Sequence, residues 1–537
     1  MRRFLHSHIT SRILARPRTV KAIAAASALV LLGLAIKPAP RSNAGILDTP
    51  ATAQKQPQAT SSARVLQRQQ QVRQIRPDNF DLERFPLQKT NESHWRHLLW
   101  TTAVVEPQEA FVAAALNKIL AQTVRPDLSD TEKAIVDMAM KVGTQLYLSD
   151  PNFYGSIGQR FLETIDQSTD PEWVAVSLSG LAKGGMVATE LQRMGNQVKS
   201  RFPGWTTNVF LQTTLQEIDD ATTPQPLPPL RDLLTWTIAP QQLHLYVLCR
   251  PNRRILCQAI LKDRSGEFVK QNGQLWSVPL LLESIHGLSW NFTRGQTPQG
   301  IYRIEGTVSQ YNDEFFRAYG QFPLVNLFVP FEPGARQFIP GRPGAFTGSL
   351  EDYQALLPPS WRSYRPIQQT YWAGRSGRSL FRIHGSGESP DFFSGKDKNY
   401  PNSYEWNPTI GCLSALELYS DRGQLLKSDM PKILRTLQTA GGRNFSGYLI
   451  VVDVPADGKD PISLEAVQSE IASRQARSRD RPDQKRIILA KSTPAKKPAS
   501  TTRKLIKPNQ LVKVTPRSQP QPIRQTAETL QPIPIAY

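Results

Sequence analysis

The chain has 537 residues, more than a single hydrophobic core ordinarily supports, so we expect more than one domain. Its formal net charge is +20, but residues 1–21 carry six basic and no acidic residues, and residues 471–537 carry a net charge of +12. The body between the two ends is therefore nearly neutral. This distribution argues against nucleic acid as a partner, because nucleic-acid-binding domains carry positive charge on a folded face.

Residues 1–44 are predicted to be a signal peptide or an N-terminal anchor. The apolar run 22–36 follows the basic start, and its 15 residues fit a secretory signal better than a membrane-spanning helix of about 20. Small residues ending at Ala44 offer a cleavage site, and retention as an anchor stays open. We therefore expect export. Residues 45–80 are predicted to be a flexible linker, because Ala, Pro, Gln, Ser and Thr dominate them.

Residues 81–225 are predicted to form a helical domain of five to seven short helices, because apolar residues recur at three- and four-residue spacing. Ser129 and Asp170 are predicted helix caps, each followed by acidic residues in the first turn. Nothing in this region resembles a catalytic motif. We expect it to bind a protein partner or to position the rest of the molecule.

After a proline-rich break the pattern changes to strands. Runs of β-branched and aromatic residues, separated by Gly and Pro, predict a mainly β domain over residues 240–456. Two stretches within it predict helices, "CLSALEL" from Cys412 and "PKILRTLQTA" from Pro431. Residues 457–537 are predicted to be a disordered, basic, proline-rich tail, which would adhere to anionic polymers or lipid head groups, although a solubilising extension is an equal alternative.

The chain has three cysteines, an odd number for an exported protein. Cys249 and Cys257 flank a turn-like segment, and we expect them to pack within strands; their spacing leaves open whether they form a disulfide. Cys412 is the candidate reactive thiol. It follows Gly411 at a predicted helix start, where unpaired backbone N–H groups and the helix dipole would stabilise a thiolate.

A thiol nucleophile also needs a general base and an oxyanion hole. His384, at the end of a predicted strand, is the best candidate base, and the backbone carbonyl of Gly385 would hold its imidazole in the useful tautomer. The N–H groups of Gly411 and Cys412 are the candidate oxyanion donors. His286, in a second His-Gly pair, is the rival base. On spacing alone, a core cysteine and a hydrogen-bonded loop histidine would be the commoner explanation.

The segments that contain His384 and Cys412 resemble the L,D-transpeptidase catalytic domain of the YkuD type. The motif of that family is a His-Gly pair followed, after a loop, by Ser/Thr-His-Gly-Cys. The matching residues are His384-Gly385 and Thr409-Ile410-Gly411-Cys412. "QTPQGIYRIEG" and "GYLIVVDVP" also resemble family strands and occur in family order. The sequence departs from the motif at Ile410, which replaces a histidine, and at Ser414, which replaces Arg or Asn.

The resemblance implies a β-sandwich-like catalytic domain that transfers acyl groups between peptidoglycan stem peptides in the periplasm or cell wall. Cys412 would form a thioacyl-enzyme and His384 would act as general base, with no cofactor and no metal. Thr409, Ile410 and Ser414 would face the substrate. Water as acceptor would make the protein an L,D-carboxypeptidase or a hydrolase of murein links. A non-catalytic peptidoglycan-binding scaffold is the alternative of another class.

Overall fold

The computed structural model describes residues 56–309, 321–386, 405–455 and 460–479, so the predicted leader lies outside the described residues. All described residues belong to one compact unit that begins at Ala53. Within it a helical region precedes a large mixed sheet, in the order that the sequence predicts. No helix in these ranges is long and apolar enough to cross a membrane.

Thirteen helices precede the first strand of the described chain. Four are short 3-10 segments: Pro57–Ala59, Pro77–Asn79, Lys89–Asn91 and Ala121–Val124. The others are α1 (Ser61–Gln74), α2 (Glu92–Val105), α3 (Ala110–Leu120), α4 (Asp130–Ser149), α5 (Gly155–Gln167), α6 (Pro171–Lys183), α7 (Ala188–Arg201), α8 (Val209–Thr222) and α9 (Leu230–Thr235).

Both predicted helix caps are confirmed. Ser129 and Glu132 form a capping box at the start of α4, each side chain accepting a backbone N–H of the other. The Asp170 carboxylate accepts the N–H groups of Glu172 and Trp173 at the start of α6. These helices bury their apolar faces in one core, as the periodicity of the sequence requires.

Twelve strands follow within the described residues: β1 (Leu243–Cys249), β2 (Cys257–Lys262), β3 (Lys270–Gln271), β4 (Gln274–Leu275), β5 (Ser277–Leu280), β6 (Gly300–Val308), β7 (Leu324–Phe328), β8 (Arg382–Gly385), β9 (Leu413–Ala415), β10 (Glu417–Tyr419), β11 (Leu425–Ser428) and β12 (Ser446–Asp453). Eight of them form one sheet in the order β5-β2-β1-β12-β6-β7-β8-β9. The pairs β1–β12 and β8–β9 are parallel, and the others are antiparallel.

The two edges of this sheet meet, so it is nearly a barrel. Leu281 directly follows β5 and exchanges two backbone hydrogen bonds with Ser414 of β9, each 2.9 Å long. The inner face packs against the helix α12 (Met430–Gly441), and the outer face packs against several other helices. The helices added by this region are α10 (Leu350–Gln354), α11 (Gln369–Arg375), α12 (Met430–Gly441) and α13 (Leu464–Arg479), with 3-10 segments at Pro359–Trp361 and Arg365–Gln368.

The stretch that begins at Cys412 forms strands, so the predicted helix is wrong. Leu413 and Ala415 pair with β8 and bury their side chains in the inner core. A short apolar run fits both helical and strand periodicity, and here the pairing partner, which is distant in sequence, decides between them. Cys412 therefore directly precedes the strand β9, and the helix-dipole argument for its thiolate does not apply. The second predicted helix of this domain is confirmed as α12.

Cys249 and Cys257 form a disulfide that joins the end of β1 to the start of β2. The expectation of plain strand packing is therefore incomplete, because both residues are buried in the inner core and also bonded. The described part of the predicted tail contains α13, and Ile462 and Val467 are buried against the outer face of the sheet. The packed body thus extends beyond residue 456.

The segment between β5 and β6 joins the sheet to the helices. Residues 284–297, here called the docking segment, run along the helical region, and Leu288 and Phe292 belong to the helical core. Asn291 is fully buried and donates from Nδ2 to the hydroxyl of Thr213 at 2.8 Å. The helices therefore pack directly on the part of the chain that leads to the candidate site.

Candidate active site

The parallel pairing of β8 with β9 brings two predicted residues together. In this register Ile383 lies opposite Leu413, and His384 lies opposite Ser414, two positions after Cys412. Neighbouring strands are about 4.8 Å apart and two positions advance a strand by about 6.6 Å, so the Cα atoms of His384 and Cys412 are roughly 8 Å apart. His384 and Cys412 are both buried, with 4% and 6% of their surface exposed.

The tautomer of His384 follows from its contact with Gly385. Its Nδ1 lies 3.0 Å from the Gly385 carbonyl oxygen, the partner that the sequence predicts. Because a carbonyl oxygen only accepts, Nδ1 carries the proton of the neutral ring, and the basic lone pair is on Nε2. Gly385 itself has no room for a side chain, since a Cβ there would collide with the carboxylate of Glu417.

Cys412 is the free cysteine of the chain, because the other two are joined in the disulfide. Its Sγ lies 3.7 Å from the carbonyl oxygen of Leu380. Leu380 has φ of +63°, a left-handed conformation that is strained for leucine. The N–H of Leu380 donates to Glu332 at 2.9 Å, and this bond helps hold the strained residue beside the thiol.

Thr409 organises the turn before Cys412. Its hydroxyl accepts the N–H of Gly411 at 3.1 Å and donates to the carbonyl of Cys412 at 2.8 Å. In this conformation the Gly411 N–H, one of the two predicted oxyanion donors, is committed to the turn. Thr409 is buried, and its contacts give it a structural role rather than the predicted substrate-facing one.

Arg378 lies beside this turn and was missed by sequence reasoning. Its guanidinium is buried and donates to backbone carbonyls of the docking segment, including Gly295 at 2.9 Å and Gln296 at 2.7 Å. Gly411 has φ of +125°, and a Cβ there would collide with Nη2 of Arg378. Burial lowers the pKa of Arg378 to about 10, and Cys412 is among the groups that oppose this shift.

The charge of Arg378 and a negative charge on Cys412 would attract each other, since each stabilises the charged form of the other. Arg378 is thus the nearby positive charge that the sequence had assigned to a helix end. No motif marks it, since its carbonyl partners lie more than 80 residues away in the chain.

The two residues that depart from the family motif occupy different environments. Ile410 is half-buried and lines a cavity together with Cys412. Ser414 is fully buried and does not line that cavity, and its hydroxyl has no hydrogen-bond partner among the described residues. The structure therefore places Ile410 on the wall of the cavity and Ser414 against the neighbouring strands.

The rival base, His286, belongs to the contact between helices and sheet. It is fully buried, its Nδ1 lies 2.9 Å from Oε1 of Gln145, and its ring packs on Trp100. Burial holds the pKa of His286 well below its usual value. These contacts give His286 a packing role between the helices and the sheet.

The cavity beside Cys412 has a volume of about 470 Å³ and lies between α2, α4 and the Cys412 turn. Exposed residues on its rim, among them Ser379 and Leu380, open it to solvent. His384 does not line it. The lining residues are Glu92, Arg96, Leu99, Ala134, Ile135, Asp137, Met138, Lys141, Thr293, Arg294, Gly377, Arg378, Ser379, Leu380, Phe381, Ile410, Gly411 and Cys412.

Throughout the described ranges, no group of three or more His, Cys, Asp or Glu side chains is arranged to hold a metal ion. Comparisons of the chain with models of protein families, with curated proteins and with solved structures find no match.

Proposed function

We propose that the protein is a cysteine-dependent L,D-transpeptidase that acts on peptidoglycan stem peptides through a thioacyl-enzyme on Cys412. The observation that carries the proposal is the pairing of β8 with β9, because His384 lies on β8 and Cys412 directly precedes β9. Two further contacts support it: the Gly385 carbonyl sets the tautomer of His384, and the Arg378 guanidinium lies against the Cys412 turn.

The reaction would proceed in two steps. Nε2 of His384 takes the proton of the Cys412 thiol, and the thiolate attacks the carbonyl carbon of an L,D peptide bond. An S–C bond forms, the C–N bond breaks, and the terminal D-residue leaves as an amine after taking that proton from His384. An amine of a second stem then attacks the thioester, Nε2 of His384 takes its proton, and the Cys412 thiolate leaves. The N–H of Cys412 would stabilise the negative oxygen in both tetrahedral intermediates.

The proposal includes export to the periplasm or cell wall, and a β-sandwich-like transpeptidase domain. The Cys249–Cys257 disulfide supports export, because disulfides persist in oxidising compartments. Stem peptides would be the substrates. The basic tail would contact anionic wall polymers or a membrane surface, and the helical region would offer a surface to a protein partner.

Two alternatives differ from this proposal in specific ways. If water replaces the acceptor amine, the same thioacyl-enzyme gives an L,D-carboxypeptidase or a murein-link hydrolase. A non-catalytic peptidoglycan-binding scaffold is favoured by two observations: the Gly411 N–H is bonded to Thr409, and His384 does not line the cavity.

Mass spectrometry of the intact protein incubated with tetrapeptide stems tests the proposal. We expect an acyl adduct on Cys412, and none on Cys412→Ser, because the serine hydroxyl is a far weaker nucleophile at this site. His384→Ala should slow release of the acyl group to an amine by about 100-fold or more, the usual contribution of a general base. His97→Ala is the matched control, since His97 is exposed and bonds only within α2.

The products separate the alternatives. Cross-linked stems support transfer, and shortened stems support hydrolysis. Absence of an adduct on wild-type protein under all conditions that preserve the fold would rule out both enzymatic functions and leave the scaffold.

A further inference from the structure

The charged side chains of the cavity are unequally paired. Four cations line it against two acids. Glu92 bonds Arg96 at 3.2 Å on α2, and Asp137 bonds Lys141 on α4. Each acid is thereby neutralised by a cation of its own helix. The surplus positive charge belongs to the two remaining arginines.

Those two arginines differ in what holds them. Arg378 is fixed by backbone carbonyls and lies against the Cys412 turn, where its charge is offset once the thiol ionises. Arg294 donates to Sδ of Met138 at 3.1 Å and lies over the ring of Trp100, with 5.7 Å to its centre. A thioether is a weak acceptor, and within the described chain no carboxylate pairs with Arg294.

This arrangement is costly without a ligand. Burial lowers the pKa of Arg294, which reports that its charge is partly removed from water. Asp137 is near enough to favour that charge, but it is bonded to Lys141. Arg294 is half-buried, so a counter-ion would stabilise its partly desolvated charge, and the cavity leaves room for one beside it.

We propose that the cavity binds a carboxylate of the ligand, with Arg294 as its counter-ion, while Arg96 and Lys141 neutralise the two acids of the cavity wall. The helical region is then one wall of the ligand site rather than a separate module. Its part in the reaction, which rests on the proposed function, would be to hold the carboxylate of the acyl-donor stem while Cys412 attacks the neighbouring carbonyl.

A pair of alkylating reagents tests the binding site without any stem peptide. Iodoacetate and iodoacetamide react with a thiolate by the same displacement of iodide, but only iodoacetate is an anion. Cys412 is the one free thiol, so the intact mass reports its modification. The quantity measured is the rate constant for iodoacetate divided by the rate constant for iodoacetamide. This ratio is then divided by the same ratio for N-acetylcysteine amide, a small thiol without other charged groups.

We expect this normalised ratio to be roughly 3 to 10, because one partly screened unit charge at cavity distances attracts the anionic reagent by about that factor. Arg294→Gln should lower it toward one. Arg96→Gln should lower it less, and Asp137→Asn should raise it, because that change frees Lys141. The control Arg193→Gln removes the same charge from an exposed pair on α7 and should leave the ratio unchanged.

Arg96 and Asp137 are both about one-third exposed, so their variants remain readable if Arg294→Gln does not fold. A wild-type ratio near one, or Arg96→Gln and Asp137→Asn ratios equal to that of Arg193→Gln, would overturn the inference. Anion selectivity without an acyl adduct would support the carboxylate site and contradict the proposed reaction. An adduct without anion selectivity would support the reaction and contradict the carboxylate site.

Discussion

At the scale of single residues, a buried acid lies next to the candidate base. Glu417 is fully buried, accepts the N–H of Gln321 at 2.9 Å and the hydroxyl of Tyr419, and packs against Gly385. Burial raises its pKa to about 7. Near neutral pH this carboxyl therefore gains or loses its charge beside the glycine whose carbonyl orients His384.

The substitution Glu417→Gln should change how stability depends on pH. The folded pKa of about 7 lies above the usual glutamate pKa of 4.5, so the protonated form stabilises the fold. That contribution is complete below about pH 4.5 and is lost as the pH rises through about 7. The glutamine keeps the accepting oxygen and cannot ionise. Relative to wild type, its free energy of unfolding should rise by about 2–3 kcal/mol between pH 4 and pH 8.

Urea unfolding at a series of pH values measures this difference. The control Glu190→Gln changes an exposed acid of α7 and should run parallel to wild type. If the Glu417→Gln profile also runs parallel, Glu417 does not titrate in the folded state as described.

At the scale of elements, the sequence predicts strands well where β-branched residues run through a central strand, as in β1, β6 and β12. It does not predict β7, and it assigns a helix to β9, because short strands carry little periodicity and depend on partners distant in the chain.

In the candidate site, too, local contacts were predictable from the sequence and contacts between distant residues were not. The contact of His384 with Gly385 joins adjacent residues and was predictable. The positions of Arg378 and Arg294 depend on the docking segment and on α4, which no local pattern reveals.

The disulfide between β1 and β2 is expected to stabilise the fold. It closes a short loop, with a sequence separation of 8, so the loss of chain entropy in the unfolded state is modest. The double substitution of Cys249 and Cys257 by Ala should lower the free energy of unfolding by roughly 2–3 kcal/mol. Urea unfolding without reductant measures it, and wild type treated with reductant is the matched comparison. An unchanged midpoint in both would show that the bond carries no net stability.

At the scale of the whole molecule, the docking segment contacts both the helices and the candidate site. The docking segment bonds α8 through Asn291, and its end contacts the Cys412 turn, where the hydroxyl of Thr297 donates to the Gly411 carbonyl at 2.9 Å. Helical packing and thiol geometry therefore depend on the same few residues.

Unfolding should accordingly be a single transition. Asn291→Ala removes two buried hydrogen bonds to α8 and should lower the free energy of unfolding by about 1–3 kcal/mol. Far-ultraviolet circular dichroism and the alkylation rate of Cys412 should shift to the same new midpoint in urea. The control Asn152→Ala alters an exposed turn and should shift neither. Two separate midpoints in wild type would contradict the coupling.

The short disulfide loop also affects which cysteines pair first while the chain is being made. Cys257 needs to find a partner only 8 positions back, whereas Cys412 is synthesised 155 positions later. A near neighbour has a much higher effective concentration than a distant one, so the native pair closes first. Cys412 then enters a chain in which the other two thiols are already paired. The placement of two structural cysteines early and close together therefore favours their pairing over a bond from either one to Cys412.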